Sequence, residues 1–230
     1  MKIAGFQKTS FLDYPGFPTA VVFTPGCNMN CVYCHNAELL FGAPPLIPEG
    51  EVFSYLEKRR GILQAVTVTG GEPTLQRDLK DFIRRVRELD YKVKLDTNGL
   101  KPEVLQGLMG EGLLDYVAMD IKAPMDKYDE ITRTKNDLKK IRKSIAILRS
   151  GALPHEFRLT FYPGLSLEDG VAAAKLVEGT AHFYLQQYRK RNGYEDPEPH
   201  PPSYVQETAR AIRAAIGVCE VRGLGIGGGE

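Results

Sequence analysis

Apolar and β-branched residues gather in short runs at 20–24 (Ala-Val-Val-Phe-Thr), 65–69, 92–96, 116–121, 156–162 and 182–188, each the length of a strand. Between these runs the apolar positions change to helical spacing. In 75–89 they are Leu75, Leu79, Phe82, Ile83, Val86 and Leu89, and in 136–149 they are Leu138, Ile141, Ile145 and Leu148. Segments 50–60, 102–109, 166–178 and 203–216 carry fainter versions of the same stripe. Strand then helix, repeated about six times, predicts right-handed βαβ units around a parallel sheet. A complete eight-unit barrel takes about 250 residues. A chain of 230 residues therefore predicts an incomplete (β/α)6-type TIM barrel, open along one side. The expected layout is one domain over 1–230: a strand pair in 1–19, a core over 20–190, then a loop, helix and strand (218–222) over 191–230. Folds of this kind place their chemistry at the C-terminal ends of the strands.

Composition narrows the class without naming it. Hydrophobic residues make up 43% and charged residues 26%, a globular balance. Lys and Arg number 30 against 29 Asp and Glu, so the basic surplus that bulk nucleic-acid binding needs is missing. No apolar run approaches the roughly 18 residues of a membrane span. The N-terminal stretch Met1–Lys8 lacks the long apolar segment of a secretory signal, so the expected location is the cytoplasm. Residues 192–202 are too rich in proline for helix or inner strand. The tail 223–228 matches G-x-G-x-x-G, but with no helix after it reads as a flexible terminus. His155, His182 and His200 have no paired acid or nucleophile at recognisable spacing, and no Ser-His-Asp set, P-loop or H-E-x-x-H occurs.

Three of the four cysteines lie on one loop after the first core strand, Cys27, Cys31 and Cys34. Structural zinc would add His35 as a fourth ligand, although adjacent residues 34 and 35 reach one ion tetrahedrally only with difficulty. Cys31-Val32-Tyr33-Cys34-His35 also satisfies the C-x-x-C-H of haem attachment, a reading that leaves Cys27 unexplained. An iron–sulfur cluster on three thiolates leaves one iron open to a substrate or cofactor. Cys219 stands alone and reads as a buried thiol.

Polar residues recur at the later strand ends. Thr69-Gly70-Gly71-Glu72-Pro73-Thr74 offers two glycines for close approach of a ligand and a glutamate for an ammonium group. It also reads as a glycine turn in which Thr74 caps the next helix. Asp96-Thr97-Asn98-Gly99 and Asp120-Ile121-Lys122 follow, with Asp120 and Lys122 on one face. Their side chains suit ribose hydroxyls and a carboxylate, while Asp96 and Asn98 equally build a turn before Gly99. Arg158 and Thr160 share a phase that points to the barrel interior, and Gln186, Gln187 and Tyr188 end the sixth strand. The basic run Arg189–Arg191 reads as a meeting point for an acidic partner surface or as a solvated strand end.

Cys27-x-x-x-Cys31-x-Tyr33-Cys34 after the first core strand resembles the signature of the radical S-adenosylmethionine (SAM) enzymes. The resemblance implies a [4Fe–4S] cluster on Cys27, Cys31 and Cys34, with SAM chelating the fourth iron through its amino and carboxylate groups. Gly70-Gly71-Glu72 looks like the family's GGE motif, which binds the SAM amino group. Asp96-Thr97-Asn98 and Asp120-Ile121-Lys122 resemble motifs that line the SAM pocket of glycyl-radical-enzyme activating enzymes. The implied chemistry is one-electron cleavage of SAM to methionine and a 5′-deoxyadenosyl radical that abstracts a hydrogen atom. Activators of pyruvate formate-lyase carry a histidine after the sixth strand. Here Leu185-Gln186-Gln187-Tyr188-Arg189 looks closer to the activating proteins of anaerobic ribonucleoside-triphosphate reductase. With three of the four cysteines committed, the remaining one cannot supply auxiliary clusters, and the open barrel side fits a macromolecular target. The expected partners are that reductase and a small electron donor such as flavodoxin or ferredoxin, with neither nucleic acid nor membrane. Other readings are activation of another glycyl radical enzyme, a small-molecule enzyme of the 7-carboxy-7-deazaguanine synthase type, and a non-catalytic metal-binding or electron-transfer protein.

Overall fold

In the folded chain every strand lies beside its neighbour in sequence. The computed structural model describes residues 1–40, 44–151, 153–191 and 193–224. The strands are β1 (Gly5–Ser10), β2 (Thr19–Thr24), β3 (Ala65–Gly70), β4 (Lys92–Thr97), β5 (Tyr116–Asp120), β6 (His155–Phe161), β7 (Phe183–Gln187) and β8 (Glu220–Arg222). They form one sheet in the order β1 to β8, parallel throughout except for the antiparallel β1–β2 pair. β8 does not pair back to β1, so the sheet stays unclosed, as the sequence pattern anticipates.

The helices are α1 (Glu49–Lys58), α2 (Leu79–Glu88), α3 (Pro102–Gly110), α4 (Tyr128–Thr132), α5 (Leu138–Ser150), α6 (Leu167–Lys175) and α7 (Pro202–Ile216). All but α4 complete a β/α unit, and β2 to β7 supply the six strands of those units. α2 buries Leu79, Phe82, Ile83 and Val86 and turns its arginines outward, the stripe its spacing foretells. Ser166 and Asp169 form a reciprocal capping box at the start of α6. Gly217, at φ +84°, ends α7 in a conformation that a side chain would strain.

Alternation along the strands separates two environments. Val93 and Leu95 of β4, Val117 and Met119 of β5, and Phe157 and Leu159 of β6 are fully buried beneath the helices. Residues of the other phase face the barrel interior. Register puts Thr67 beside Lys94, Lys94 beside Tyr116, and Asp120 beside Arg158. That interior carries charge.

Three expectations need correction. Residues 1–19 hold one complete strand, β1, instead of a strand pair, and the partner of β1 is β2 itself. The chain reverses through bends and a turn over 11–17, where Ser10 Oγ accepts the Leu12 N–H at 3.1 Å and Pro15 has no donor for a ladder. The helix expected from residue 75 starts at Leu79. Pro73–Leu75 form a separate 3-10 turn, so Leu75 belongs to that turn and not to the α2 stripe. Thr74 is not a cap: its N–H donates to Glu72 Oε1 at 3.1 Å, so Glu72 does the capping. α4 has five residues, too few to show a period, and was not foreseen. Residues 193–201 form neither helix nor strand, and α7 begins on Pro202. Within the glycine-rich tail, 225–228 lie outside the described residues. No helix among the described residues is long and apolar enough to cross a membrane.

Candidate active site

Every residue singled out for a cofactor role lines one cavity of about 300 Å³ at the C-terminal ends of the strands: Cys27, Cys31, Tyr33, Cys34, Gly70, Gly71, Glu72, Asp96, Thr97, Asn98, Asp120 and Lys122. Arg158, Thr160 and Gln186 join them. Gln187 turns away, donating its amide to the His200 carbonyl at 3.0 Å, and Tyr188 is 1% exposed.

Backbone hydrogen bonds from distant elements hold the cysteine loop. Asn30 N–H donates to the Thr132 carbonyl at 2.9 Å and Val32 N–H to Ile131 at 3.0 Å, so the last residues of α4 brace both sides of Cys31. Glu72 N–H donates to the Gly26 carbonyl at 2.8 Å, Gly71 N–H to Thr24 at 2.8 Å, and the Gln76 amide to Pro25 at 3.0 Å. These bonds give the two glycines a packing role as well. A Cβ on Gly71 would overlap the Gly26 carbonyl oxygen. One on Gly70, at φ +119°, would overlap the backbone of Thr24. The space freed by the missing side chains is filled by the cysteine loop itself.

Burial pushes the Cys27 thiol up to about 11 and raises Cys31 as well, with Lys122 acting against the shift in both. Such thiols are poor free nucleophiles at neutral pH and need a strongly positive partner to ionise. Among the described residues no three His, Cys, Asp or Glu side chains converge tightly enough to hold a single ion. A cluster asks for something looser, because each thiolate binds a different iron. Asn98 Nδ2 lies 3.7 Å from Cys27 Sγ and donates to Asn28 Oδ1 at 2.8 Å, a second polar contact of the kind that tunes a metal centre. These residues fit a three-thiolate iron–sulfur cluster.

Glu72 is 1% exposed, and its carboxylate is already well supplied with donors. Oε1 accepts from Thr74 N–H at 3.1 Å, Thr97 Oγ1 at 2.8 Å and Thr74 Oγ1, and Oε2 accepts Asn98 N–H at 2.7 Å. Burial raises its pKa and these donors work the other way. Each carboxylate oxygen offers about two lone-pair sites, and Oε2 has a single donor, so one site on it is left for a ligand cation. Asn98 also closes its own turn, with Oδ1 accepting Leu100 N–H at 3.0 Å before Gly99 at φ +78°. The turn reading of that asparagine is met, and the residue also lines the cavity.

A chain of ion pairs crosses the barrel interior beneath the cavity. Lys94 Nζ meets Asp96 Oδ1 at 2.5 Å, and Arg158 bridges Asp96 Oδ2 at 3.2 Å and Asp120 Oδ1 at 2.8 Å. Lys122 Nζ meets Asp120 Oδ2 at 3.0 Å. Below, Arg222 clasps Glu156 through two bonds of 2.9 and 3.0 Å, and the Tyr116 hydroxyl donates to Glu156 Oε2 at 3.1 Å. Burial alone would raise the Asp120 carboxyl, but Arg158 and Lys122 overcome it and hold it well below the usual range. Asp96 is lowered for the same reason, by Arg158 and Lys94. Lys94, Glu156 and Arg222 escaped sequence reasoning, although Lys94 and Glu156 stand two positions before Asp96 and Arg158 and so share their phase. Tyr33 is 5% exposed, with its ring 5.9 Å from Lys122 Nζ and 5.7 Å from Tyr162.

The basic run is divided among separate tasks. Arg191 pairs with Asp196 and donates to the Cys34 carbonyl at 3.4 Å, clamping the proline-rich loop onto the cysteine loop. Lys190 pairs with Glu198 at 2.5 Å, and Arg189 donates to the Gly223 carbonyl at 3.4 Å.

Residues 21–177 match the model of the radical SAM superfamily. The chain belongs to that superfamily. Its members use a [4Fe–4S] cluster and SAM, the two cofactors expected from the cysteine motif. The chain is 34% identical over 200 residues to a Methanocaldococcus jannaschii protein named "Putative glycyl-radical enzyme activating enzyme", covering 84% of this chain and 82% of that one. It is 26% identical to a 7-carboxy-7-deazaguanine synthase of Thermococcus kodakarensis over 81% of this chain and 79% of the relative. GTP 3′,8-cyclases match in part, and the chain spans little more than a third of the Pyrococcus abyssi protein (37%). SAM-bound SuiB of Streptococcus suis shares the fold at a TM-score of 0.65 and 14% identity, over 88% of this chain and 52% of SuiB.

Proposed function

We propose that this radical SAM enzyme is a glycyl-radical-enzyme activating enzyme and that its target is an anaerobic ribonucleoside-triphosphate reductase. The observation that carries the activase reading is the 34% identity to the M. jannaschii relative, sustained over 84% of this chain and 82% of that one. The narrower target rests on Leu185-Gln186-Gln187-Tyr188-Arg189, where Gln186 faces the cavity in the region that carries a histidine in pyruvate formate-lyase activators.

When bound, the cluster and SAM supply one-electron cleavage of a carbon–sulfur bond and a radical able to abstract hydrogen. The chain's own work is positional. Cys27, Cys31 and Cys34 hold the cluster, on a loop fixed from β3, α4 and Arg191. Glu72 offers its remaining Oε2 lone pair to the SAM ammonium, with Gly70 and Gly71 keeping its backbone pressed to the loop. Asp96, Thr97, Asn98 and Asp120 would hold the ribose hydroxyls, and Lys122 would suit a carboxylate. Because Asp96 and Asp120 are prepaired with cations, they present fixed acceptors with little reorganisation on binding. The unclosed seam between β1 and β8 gives a protein loop a way in.

Anaerobic mixing with the reductase, reductant and SAM tests the reading by electron paramagnetic resonance. A glycyl doublet is expected, and none from reductase with the target glycine changed to alanine. A doublet on another glycyl radical enzyme alone would keep the activase and change the target. The Thermococcus relative's coverage favours a second reading, a small-molecule radical SAM enzyme of the 7-carboxy-7-deazaguanine synthase type. Turnover of a free small molecule with no protein radical would establish it instead.

A further inference from the structure

Six cations follow directly in the chain on the residues that brace the cysteine loop. Arg133, Lys135, Lys139, Lys140, Arg142 and Lys143 fall within residues 133–143, where Asp137 is the one carboxylate. That segment carries 6 − 1 = +5 in a chain of net charge +1, so the remainder carries 1 − 5 = −4. All six are exposed, and none forms an ion pair among the described residues. Of the nearby acids, Asp129 Oδ1 accepts the Asn136 amide at 2.9 Å and Asp137 accepts the Lys139 N–H at 3.1 Å, while Glu130 is exposed and pairs with none of the six.

A solvated helix face is the ordinary explanation for surface lysines, and α2 shows what that looks like in this protein. Its Lys80, Arg84, Arg85 and Arg87 each reach a carboxylate, namely Glu111, Glu111, Glu49 and Asp115. On α5 like charges face each other at i,i+4 (Lys139 and Lys143) and i,i+3 (Lys139 and Arg142, Lys140 and Lys143), spacing that works against the helix unless an opposite charge arrives.

Position says what that opposite charge is for. The patch opens with Arg133, the residue after Thr132, whose carbonyl holds Asn30 N–H at 2.9 Å beside Cys31. It follows β5, near the middle of the sheet, whereas the open seam lies between β1 and β8. A partner seated here leaves the seam free. The family's chemistry draws one electron from outside for each cleavage, and electron transfer demands a short path to the cluster. α5 is only 13 residues, roughly 20 Å long. An extended polyanion would run on to the acidic remainder of the surface, whereas a compact acidic protein would not.

We propose that the Arg133–Lys143 face docks an acidic protein that carries one electron. The reduced carrier loses one electron and the cluster on Cys27, Cys31 and Cys34 gains it, with no bond made or broken. The inference stands on the superfamily's cofactors and is independent of which target is activated.

The test uses the reconstituted protein, with an acidic flavodoxin and a two-iron ferredoxin as probe carriers. Stopped-flow bleaching of the cluster absorbance is followed for wild type and for Lys139→Glu/Lys143→Glu. Charge steering raises association about ten- to a thousand-fold, so the variant should be reduced at least about ten-fold more slowly at low salt. High salt should narrow the gap. Photoreduction by deazaflavin, which needs no docked protein, should be unchanged, as should iron content. Equal carrier rates in the two proteins would overturn the proposal. So would an equal loss with deazaflavin, which would place the effect at the cluster. Tighter binding of a random DNA duplex than of either carrier to wild type at physiological salt would assign the face to nucleic acid instead.

Discussion

Replacing Arg158 with methionine removes the centre of the interior ion chain while keeping much of its bulk. Its guanidinium lies 2.8 Å from Asp120 and 3.2 Å from Asp96, with side-chain exposures of 13%, 27% and 12% for the three residues. Breaking a buried pair on one side costs roughly 3–5 kcal/mol, because the partner stays buried with its charge uncompensated. Lys94 and Lys122 still hold one oxygen of each carboxylate, so the lower end, about 3 kcal/mol, is expected. At about 2.1 cal/mol/K per residue, 230 residues give an unfolding entropy near 480 cal/mol/K, and the loss lowers Tm by about 6 °C. In the wild type both aspartates titrate below their unfolded value near 3.9. Their contribution is therefore complete above that value and fades as pH falls below it. In the variant, burial acts with less opposition and lifts both carboxyls from their wild-type range, so destabilisation sets in below about 3.9, as the wild-type carboxyls ionise, and grows as pH rises. Urea unfolding followed by circular dichroism, suited to a chain without tryptophan, should show the full difference at pH 7 and a smaller one at pH 3. A cost below about 1 kcal/mol at pH 7, or the same cost at pH 7 and pH 3, would refute the reasoning.

Cys27→Ala, Cys31→Ala and Cys34→Ala should each abolish cluster assembly, while Cys219→Ala, at a 1% exposed position just before β8, should retain it; iron and sulfide analysis decides. Gly71→Ala should lose iron as severely as a cysteine variant, because the new Cβ displaces the Gly26 carbonyl one residue before Cys27. Full iron content would show that the loop yields. Glu72→Gln turns Oε2 into a donor opposite Asn98 N–H and removes the charge facing the ligand. SAM affinity should fall about ten- to a hundred-fold with iron content kept, read by equilibrium dialysis, and an unchanged affinity would reduce Glu72 to a brace for its own turn.

What could be read from the chain follows the range of the interactions. The cysteine motif, the Gly70–Glu72 turn and the Asp120–Lys122 pair are local, and period-two alternation carries Arg158 and Thr160 into the interior. The six units and the open barrel follow from run lengths alone. The clasp of Glu156 by Arg222 joins residues 66 apart in sequence and leaves no local pattern. The brace from Ile131 and Thr132 uses backbone carbonyls, which every residue type carries, so no sequence reading could find it. Gly70 and Gly71 were legible as necessary, but the part of the protein's own loop that crowds their Cβ positions was not.

Because sheet order equals chain order, the barrel can assemble strand by strand as it leaves the ribosome. The cysteine loop emerges early, yet the carbonyls that brace Cys31 belong to residues 131 and 132, about a hundred residues later. At about 5–20 residues per second, the thiols stay unsupported for roughly 5–20 s of synthesis. Iron offered during that interval meets a loop without its final shape. Maturation is therefore expected to follow release of the chain, with any delivery system recognising the finished barrel instead of the nascent cysteines.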